Sequence, residues 1–380
     1  MQNGLFNVTE EQQSLVELIR DFMTKEIKPH VLEWEKEGHY PQEIIEQGIE
    51  MGLHMLQVPE EYGGMGLDTT TTAMMIEEGA KVESTFMGMF NVTSMGGKIV
   101  MAAGNEEQKQ YYSGLLQKGY LSSFCLTEPD AGSDSAAVRT TAVRKGDSYV
   151  INGTKMFITN ASLASVFLVV ATLDPSKGSK GLATFIVEKD RPGVTVGKKI
   201  EKIGMRLSNT AEVIFDNVEI PAFNLIGTEE GGFANAMKVL TASRPIIAAS
   251  SLGACQLARD LAIQYSKERI AFGKPICAKQ MIQEKIANME MLIQAGRGLV
   301  YNATMLLDQG KPCNKEASIA KCFVTEAYGK IIDDALQIFG GYGLCDEYLI
   351  SKLYRDSRVN RIIEGTNEIQ RVVIAKSLLR

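Results

Sequence analysis

Glu364 sits in the segment Ile363-Glu364-Gly365-Thr366-Asn367-Glu368, just before a helix expected to begin near Thr366. A carboxylate is one of the groups that general-base chemistry requires. Taken alone, this placement does no more than complement the positive end of a helix dipole. A second segment, Cys125-Leu126-Thr127-Glu128-Pro129-Asp130-Ala131-Gly132-Ser133-Asp134, combines hydroxyls, a rigid turn and a glycine where helical sequence gives way to β-rich sequence. Ligands are often held at such junctions. Met156-Phe157-Ile158-Thr159-Asn160 adds an aromatic ring and a hydroxyl, which suit packing against a flat heterocycle and bonding to its edge. The loops Phe272-Gly273-Lys274-Pro275 and Phe339-Gly340-Gly341-Tyr342-Gly343 supply backbone that a ligand can approach closely.

Three kinds of sequence must position these groups. From Thr9 to about Gly104 apolar residues such as Leu15, Leu18, Ile19 and Phe22 recur at helical steps, and Thr9-Glu10-Glu11-Gln12 resembles a capping box. Pro59 to Leu67, with one proline and three glycines, predicts an ordered loop between helices. Between about Ser122 and Pro221 the runs are short and β-rich. Lys145-Gly146-Asp147 predicts a hairpin, and Val166–Ala171, Ala183–Val187 and Glu212–Phe215 predict further strands of a small antiparallel barrel or sandwich. After Gly231-Gly232-Phe233 the helical period returns, with Ile282, Ile286, Met289, Ile293 and Val300 on one stripe. The expected fold class is therefore α+β. It comprises an N-terminal helical domain over 1–121, a middle β domain over 122–230 and a C-terminal four-helix-bundle domain over 231–380.

The 380-residue chain is long enough for two or three domains and for burying a large ligand. With 45% hydrophobic and 23% charged residues it has the composition of an ordinary globular protein. Its longest purely apolar run, near Val166–Ala171, is far shorter than the roughly 20 residues that span a bilayer, so no membrane span is expected. A net charge of −6 without a concentrated basic run argues against a nucleic-acid partner. The six cysteines form no Cys-x-x-Cys pair and scatter through apparently helical sequence, as reduced thiols do. His30, His39 and His54 lack ligand spacing, so no metal is expected. Met1 to Phe6 has neither the basic region nor the apolar core of a secretory leader, and a cytoplasmic location is expected.

The segment from Leu126 to Asp134 is very similar to the first signature of acyl-CoA dehydrogenases. Glu268-Arg269-Ile270-Ala271-Phe272-Gly273, Gln337-Ile338-Phe339-Gly340-Gly341-Tyr342-Gly343, Tyr354-Arg355-Asp356 and Ile363–Ile369 resemble later motifs of that family in order and approximate spacing. Essentially the whole chain is covered. The resemblance implies FAD as cofactor, with Leu126, Thr127, Phe157, Ile158 and Thr159 around the isoalloxazine ring. It places Ser133 near the flavin and CoA phosphates, and Thr366 and Glu368 in contact with FAD. Arg269, Phe272, Gln337 and Gly341 match residues that reach the FAD of a neighbouring subunit, which implies a homo-oligomer, a tetramer in this family. Glu364 is implied to be the base that removes the α-proton of an acyl-CoA, with its backbone N–H polarising the thioester carbonyl. Gly365 and Arg244 are implied on the substrate side. Electron-transferring flavoprotein is the implied acceptor.

Some relatives carry their base immediately before the arginine matching Arg244. Ser243 stands there in this chain, so Glu364 has no rival of that kind. The segment Phe86–Met101 carries Met87, Met89, Phe90, Met95 and Met101 beside Gly88, Gly96 and Gly97, and reads either as an apolar acyl cavity or as a methionine-rich core helix. No positive charge appears there before Lys98, which disfavours a dicarboxylyl substrate. Asn91 aligns with an aspartate base of dehydrogenases for cyclic acyl-CoA in anaerobic aromatic degradation. A cyclohexane- or cyclohexene-carboxyl-CoA substrate therefore stays open, as do an oxidase, an enoyl-CoA reductase working in reverse and a non-catalytic acyl-CoA-binding scaffold. A nicotinamide enzyme is the competitor from another class, but no Gly-x-Gly-x-x-Gly and no strand–helix alternation supports it.

Overall fold

The computed structural model describes residues 8–379. The reading of Met1 to Phe6 lies outside the described residues. The chain opens with α1 (Glu10–Phe22), α2 (Val31–Glu37), α3 (Gln42–Glu50), α4 (Thr69–Ala80), α5 (Ser84–Ala103) and α6 (Glu106–Gln117). The capping box that starts α1 forms as expected: Gln12 N–H donates to Thr9 Oγ1 and Thr9 N–H to Gln12 Oε1, each at 3.1 Å. The Pro59–Leu67 segment is an ordered loop. A Cβ on Gly64 would lie 2.1 Å from the Val58 carbonyl oxygen, so only glycine fits that turn.

The strands follow as β1 (Leu121–Cys125), β2 (Thr141–Lys145), β3 (Ser148–Thr159), β4 (Ala164–Thr172), β5 (Leu182–Glu188), β6 (Val194–Val196), β7 (Thr210–Pro221) and β8 (Leu225–Ile226). They form one eight-stranded sheet in the order β6-β7-β3-β2-β4-β5-β8, with β1 added alongside β4. The Gly146 turn joins β2 and β3 as an antiparallel hairpin. Two pairings depart from the antiparallel rule: β1 lies parallel to β4, and β2 meets β4 in parallel at Thr141 and Thr172. β4 explains its own unbroken apolar run. Its side chains alternate between faces, and both faces are covered. Phe167, Val169 and Ala171 join Tyr149, Ile151, Val213 and Phe215 in a core that the sheet folds over, while Val166 and Leu168 pack with Met95, Ile99 and Tyr112 of the helices.

The C-terminal part comprises α7 (Gly232–Glu268), the hairpin β9 (Ile270–Ala271) and β10 (Lys274–Pro275), α8 (Gln280–Asp308), α9 (Asn314–Phe339), α10 (Leu349–Ser357) and α11 (Asn367–Leu378). The three long helices pack on one another, and α10 and α11 lie against α9. By length and composition α7 could cross a membrane, but 61% of its most apolar window is buried inside the protein. Of the cysteines, only Cys255 and Cys322 fall within α-helices; Cys125 is on β1 and the other three are in turns or at a helix cap. All six are unpaired thiols.

Buried polar links fasten the three parts together. Glu77 on α4 accepts from Gln256 on α7 at 2.7 Å and pairs with Arg297 on α8 at 2.5 Å. Lys352 on α10 pairs with Glu83, the cap of α5, at 2.8 Å and with Asp356 at 2.6 Å. Asp356 in turn accepts from the Met205 N–H in the loop between β6 and β7. Its place in the Tyr354-Arg355-Asp356 motif is therefore that of a tie between the helical parts and the β-rich part.

Candidate functional site

The first cluster forms where β1 ends. Leu126 and Thr127 leave the strand and run beside β3, and the Met156 N–H donates to the Thr127 carbonyl at 2.8 Å. Beneath them Lys155 is fully buried. Its Nζ donates to the Leu126 carbonyl at 3.1 Å and pairs with Glu128 at 2.7 Å. Glu128 also accepts from the Arg139 and Thr140 N–H groups. A buried charge needs such complete pairing, so Glu128 holds the loop rather than facing a ligand. Two residues after Lys155 along β3, the reverse holds. Phe157 takes φ +57°, a conformation that aromatic residues rarely adopt, and its ring is 59% exposed. Ile158 is buried beside it. Among the described residues, no hydrogen bond uses the hydroxyls of Thr127, Ser133 or Thr159.

The second cluster surrounds Glu364. The loop before α11 is pinned through its backbone: Lys321 Nζ donates to the Gly365 carbonyl at 2.9 Å, as does Gln370 Nε2. Thr366 caps α11, its hydroxyl accepting from the Ile369 N–H. Glu364 is held at φ +56°, and its carboxylate accepts from the Ser243 hydroxyl on α7. Burial pushes this carboxyl above the usual carboxylate range, against the opposing influence of the Ser243 bond and of Arg244, Lys321 and Lys98. The cations feel the same enclosure, and burial lowers Lys321 and Lys98 each to about 8. Arg244 donates to Asn314 at 2.8 Å and to Ser318 at 3.2 Å, while its buried Nε has no partner among the described residues. Glu368 is exposed at the first turn of α11.

A third group stands apart. Arg269 and Gly341 share the wall of a cavity of about 490 Å³ with Tyr265, Phe339 and Tyr342, and the Arg269 guanidinium lies 5.7 Å from the Tyr342 ring centre. Phe272, at φ +53°, is 94% exposed at the tip of the β9–β10 hairpin. Gln337 is exposed on α9. Among the described residues, no hydrogen bond, ion pair or ring contact joins these four to the Phe157 or Glu364 clusters. Asn91 is buried on α5, and no hydrogen bond links it to Glu364. Met87, Met89 and Phe90 pack in the largest apolar core, so this stretch of α5 is built as a core helix. The open space on it is at Gly88, where an added Cβ would meet nothing within 4 Å.

The N-terminal, middle and C-terminal domain profiles of acyl-CoA dehydrogenase match residues 9–119, 123–218 and 230–379. The chain is 44% identical to an acyl-CoA dehydrogenase of Bacillus subtilis over 98% of its own length and 99% of the relative's. The chain belongs to the acyl-CoA dehydrogenase family. Its fold superposes on butyryl-CoA dehydrogenase of Megasphaera elsdenii with a TM-score of 0.96 at 38% identity, covering 99% of this chain and 100% of that one. A chain in a structure of the electron transferring flavoprotein of Acidaminococcus fermentans matches equally well, with a TM-score of 0.96, 40% identity and 99% coverage of both chains.

FAD is the cofactor of this acyl-CoA dehydrogenase. The first cluster fits a flavin in kind: an exposed aromatic face on Phe157 with the free hydroxyls of Thr127 and Thr159 on the adjoining loop and strand, and that of Ser133 six residues beyond Thr127. Reading the sequence of the acyl-CoA dehydrogenase singled out Glu364 but not the groups that set its charge. Ser243 was noticed only as the absence of another base, and Lys98 only as a distant charge. Lys321 carried no local signal at all, because its partners lie 44 and 46 residues away.

Proposed function

We propose that Glu364 is the base of this FAD-dependent acyl-CoA dehydrogenase and, from its likeness to the butyryl-CoA and short-chain enzymes of Megasphaera elsdenii, that the enzyme oxidises short acyl-CoA thioesters to enoyl-CoA. The observation carrying this reading is the half-buried Glu364 carboxylate, bonded to the Ser243 hydroxyl, on a backbone held at φ +56°. Left-handed conformations of non-glycine residues cost energy and persist where a site requires them. A carboxyl whose proton affinity is raised by burial matches a weakly acidic α-carbon better than an exposed one does. Glu364 takes the α-proton, and FAD, when bound, supplies the acceptor for the β-hydride. The Glu364 N–H makes no hydrogen bond among the described residues and is the donor available to the thioester carbonyl. Gly365 in the same loop and Arg244 on α7 are assigned to the substrate side, and Ser133, Thr127 and Thr159 are assigned to offer their hydroxyls to cofactor or CoA.

The separate cluster of Arg269, Phe272, Gln337 and Gly341 is assigned to the FAD of a second copy of the chain. That no bond or ring contact among the described residues joins it to the Phe157 or Glu364 clusters supports this, and a homotetramer is the assembly we propose. Domains over 1–121, 122–230 and 231–380, electron-transferring flavoprotein as acceptor and a cytoplasmic location belong to the same proposal. An amide at 91 cannot take a proton, so a base on α5 acting on a cyclic acyl group is not favoured.

The test is anaerobic flavin bleaching by straight, branched, dicarboxylic and cyclic acyl-CoA compounds, with the product identified by mass spectrometry. Butyryl-CoA is expected to bleach the wild type, and Glu364→Gln to slow bleaching by about 10²–10⁴-fold. Unchanged bleaching in Glu364→Gln would remove Glu364 as the base, and bleaching by the cyclic thioester alone would overturn the substrate class.

A further inference from the structure

We infer that Ser243 is a positioning residue whose hydroxyl follows the charge of Glu364, donating to the carboxylate when it is ionised and turning to the Leu240 carbonyl when it is protonated. The inference rests on the reading of Glu364 as base. Ser243 is 1% exposed on α7, and its Oγ has two partners: a Glu364 carboxylate oxygen and the Leu240 carbonyl oxygen at 3.0 Å. A hydroxyl has one hydrogen and two lone pairs, so it cannot donate to both at once.

Each charge state of Glu364 therefore selects one arrangement. With the carboxylate ionised, the serine hydrogen points to it and forms a charge-assisted bond. Once the substrate α-proton has moved to a Glu364 oxygen, that O–H donates to the Ser243 lone pair. The serine hydrogen then swings to Leu240. No atom leaves Ser243, and the proton taken from carbon stays on Glu364. Only a hydroxyl torsion changes, so neither state leaves a buried polar group unpaired.

The backbone fixes the other end of the contact. Gly365 is bonded to Lys321 and Gln370, so the loop holds its place while the side chain changes charge. The charged groups facing Glu364 are Lys98 on α5, Arg244 on α7 and Lys321 on α9. Asp308 on α8 acts on Lys98, and Glu368 on α11 acts on Lys321. Ser243 differs from all of these in being neutral and able both to donate and to accept. Thr241, two residues earlier, also has two acceptors within reach, the Met237 carbonyl at 2.9 Å and the Asn314 amide oxygen at 3.3 Å, but neither of these changes charge, so nothing switches its hydrogen from one to the other.

The experiment uses flavin-loaded Ser243→Ala, Ser243→Thr and Glu364→Gln proteins beside the wild type. Two quantities are followed against pH: kcat/KM with butyryl-CoA, and the carboxylic C=O stretch of Glu364 by infrared difference spectroscopy, assigned by its loss in Glu364→Gln. In Ser243→Ala the ionised form loses its donor. The Glu364 band and the acid limb of kcat/KM should then both move up by about one pH unit, lowering the rate about tenfold on that limb. Ser243→Thr keeps the hydroxyl and should restore both. A band that titrates identically in wild type and Ser243→Ala, in a variant with unchanged melting temperature, overturns the positioning role. A displaced band in a protein whose Glu364→Gln form remains fully active leaves the contact standing and overturns the base assignment instead.

Discussion

At the Glu364 carboxyl, burial and three neighbouring cations act in opposite directions, and burial is the larger influence. The consequence for folding follows from the direction of the shift. A carboxyl raised above its unfolded value contributes no penalty while both states are protonated, and costs stability as pH rises through the unfolded and then the folded value. Glu364→Gln should therefore melt above the wild type at neutral pH, with the difference shrinking as pH falls through the raised value toward the ordinary carboxylate range and gone below it; calorimetry between pH 4 and 8 checks this. Lys155 and Glu128 show the opposite arrangement, a buried pair already satisfied. Glu128→Ala would strand the Lys155 ammonium, and a loss of about 3–5 kcal/mol in denaturant unfolding is expected together with weaker flavin retention. What could be read at this scale was residue type. Glu128 stood in the sequence as part of a signature, yet its role depends on Lys155, 27 residues later, and no local pattern announces that pairing. The positive φ of Phe157, Phe272 and Glu364 was equally hidden, because none of the three is a residue that usually marks a left-handed turn.

Elements were easier to read than contacts. The α1 cap, the Gly146 hairpin and the apolar stripe of α8 each follow from local chemistry, and each is present. β1 and the parallel pairing escaped notice because Leu121–Cys125 is a short strand whose partner lies more than 40 residues on. The methionine-rich α5 stayed ambiguous, since apolar residues on a helix look the same whether they face a cavity or a core. Its packing against α1, α4 and the sheet settles the matter for Met87, Met89 and Phe90. For α11, the cap and the lysine beneath it act on the same loop. Thr366→Ala should cost about 1 kcal/mol. Lys321→Met, which removes bonds to Gly365 and Asn367 together, should lower the melting point further and reduce kcat more than it raises KM. Thermal melts beside steady-state kinetics separate the two variants.

Across the described residues, buried polar ties join parts remote in sequence. Lys352 serves Glu83 at the start of α5 and Asp356, which in turn holds the β-rich part through Met205. Lys352→Met would leave two buried carboxylates without their cation, so a loss of about 3–5 kcal/mol is expected, read as a lowered denaturant midpoint. At the outer face, Arg269→Glu is expected to shift the proposed assembly toward smaller species in light scattering and to release flavin in the same concentration range, as the assignment of Arg269 to the FAD of a second copy requires. Three regions were visible in the sequence as changes of period, but their fastening was not, because a tie between Glu83 and Lys352 spans 269 residues.

The junction of α5 with β1 has a practical side. Thr93 and Ser122 bond each other through the Ser122 N–H at 3.1 Å, the Thr93 hydroxyl at 3.3 Å and, at 3.5 Å, the Ser122 hydroxyl to the Thr93 carbonyl, and Tyr112 closes on the Ser122 hydroxyl at 2.7 Å. The helix bearing Asn91 and the strand leading into Leu126 and Thr127 are thus riveted into one rigid bracket. Anyone reshaping this enzyme for a bulkier acyl group would do better to carve side chains, beginning near the vacant space at Gly88, than to pry the helix outward, because moving the helix would drag the flavin-side loop with it.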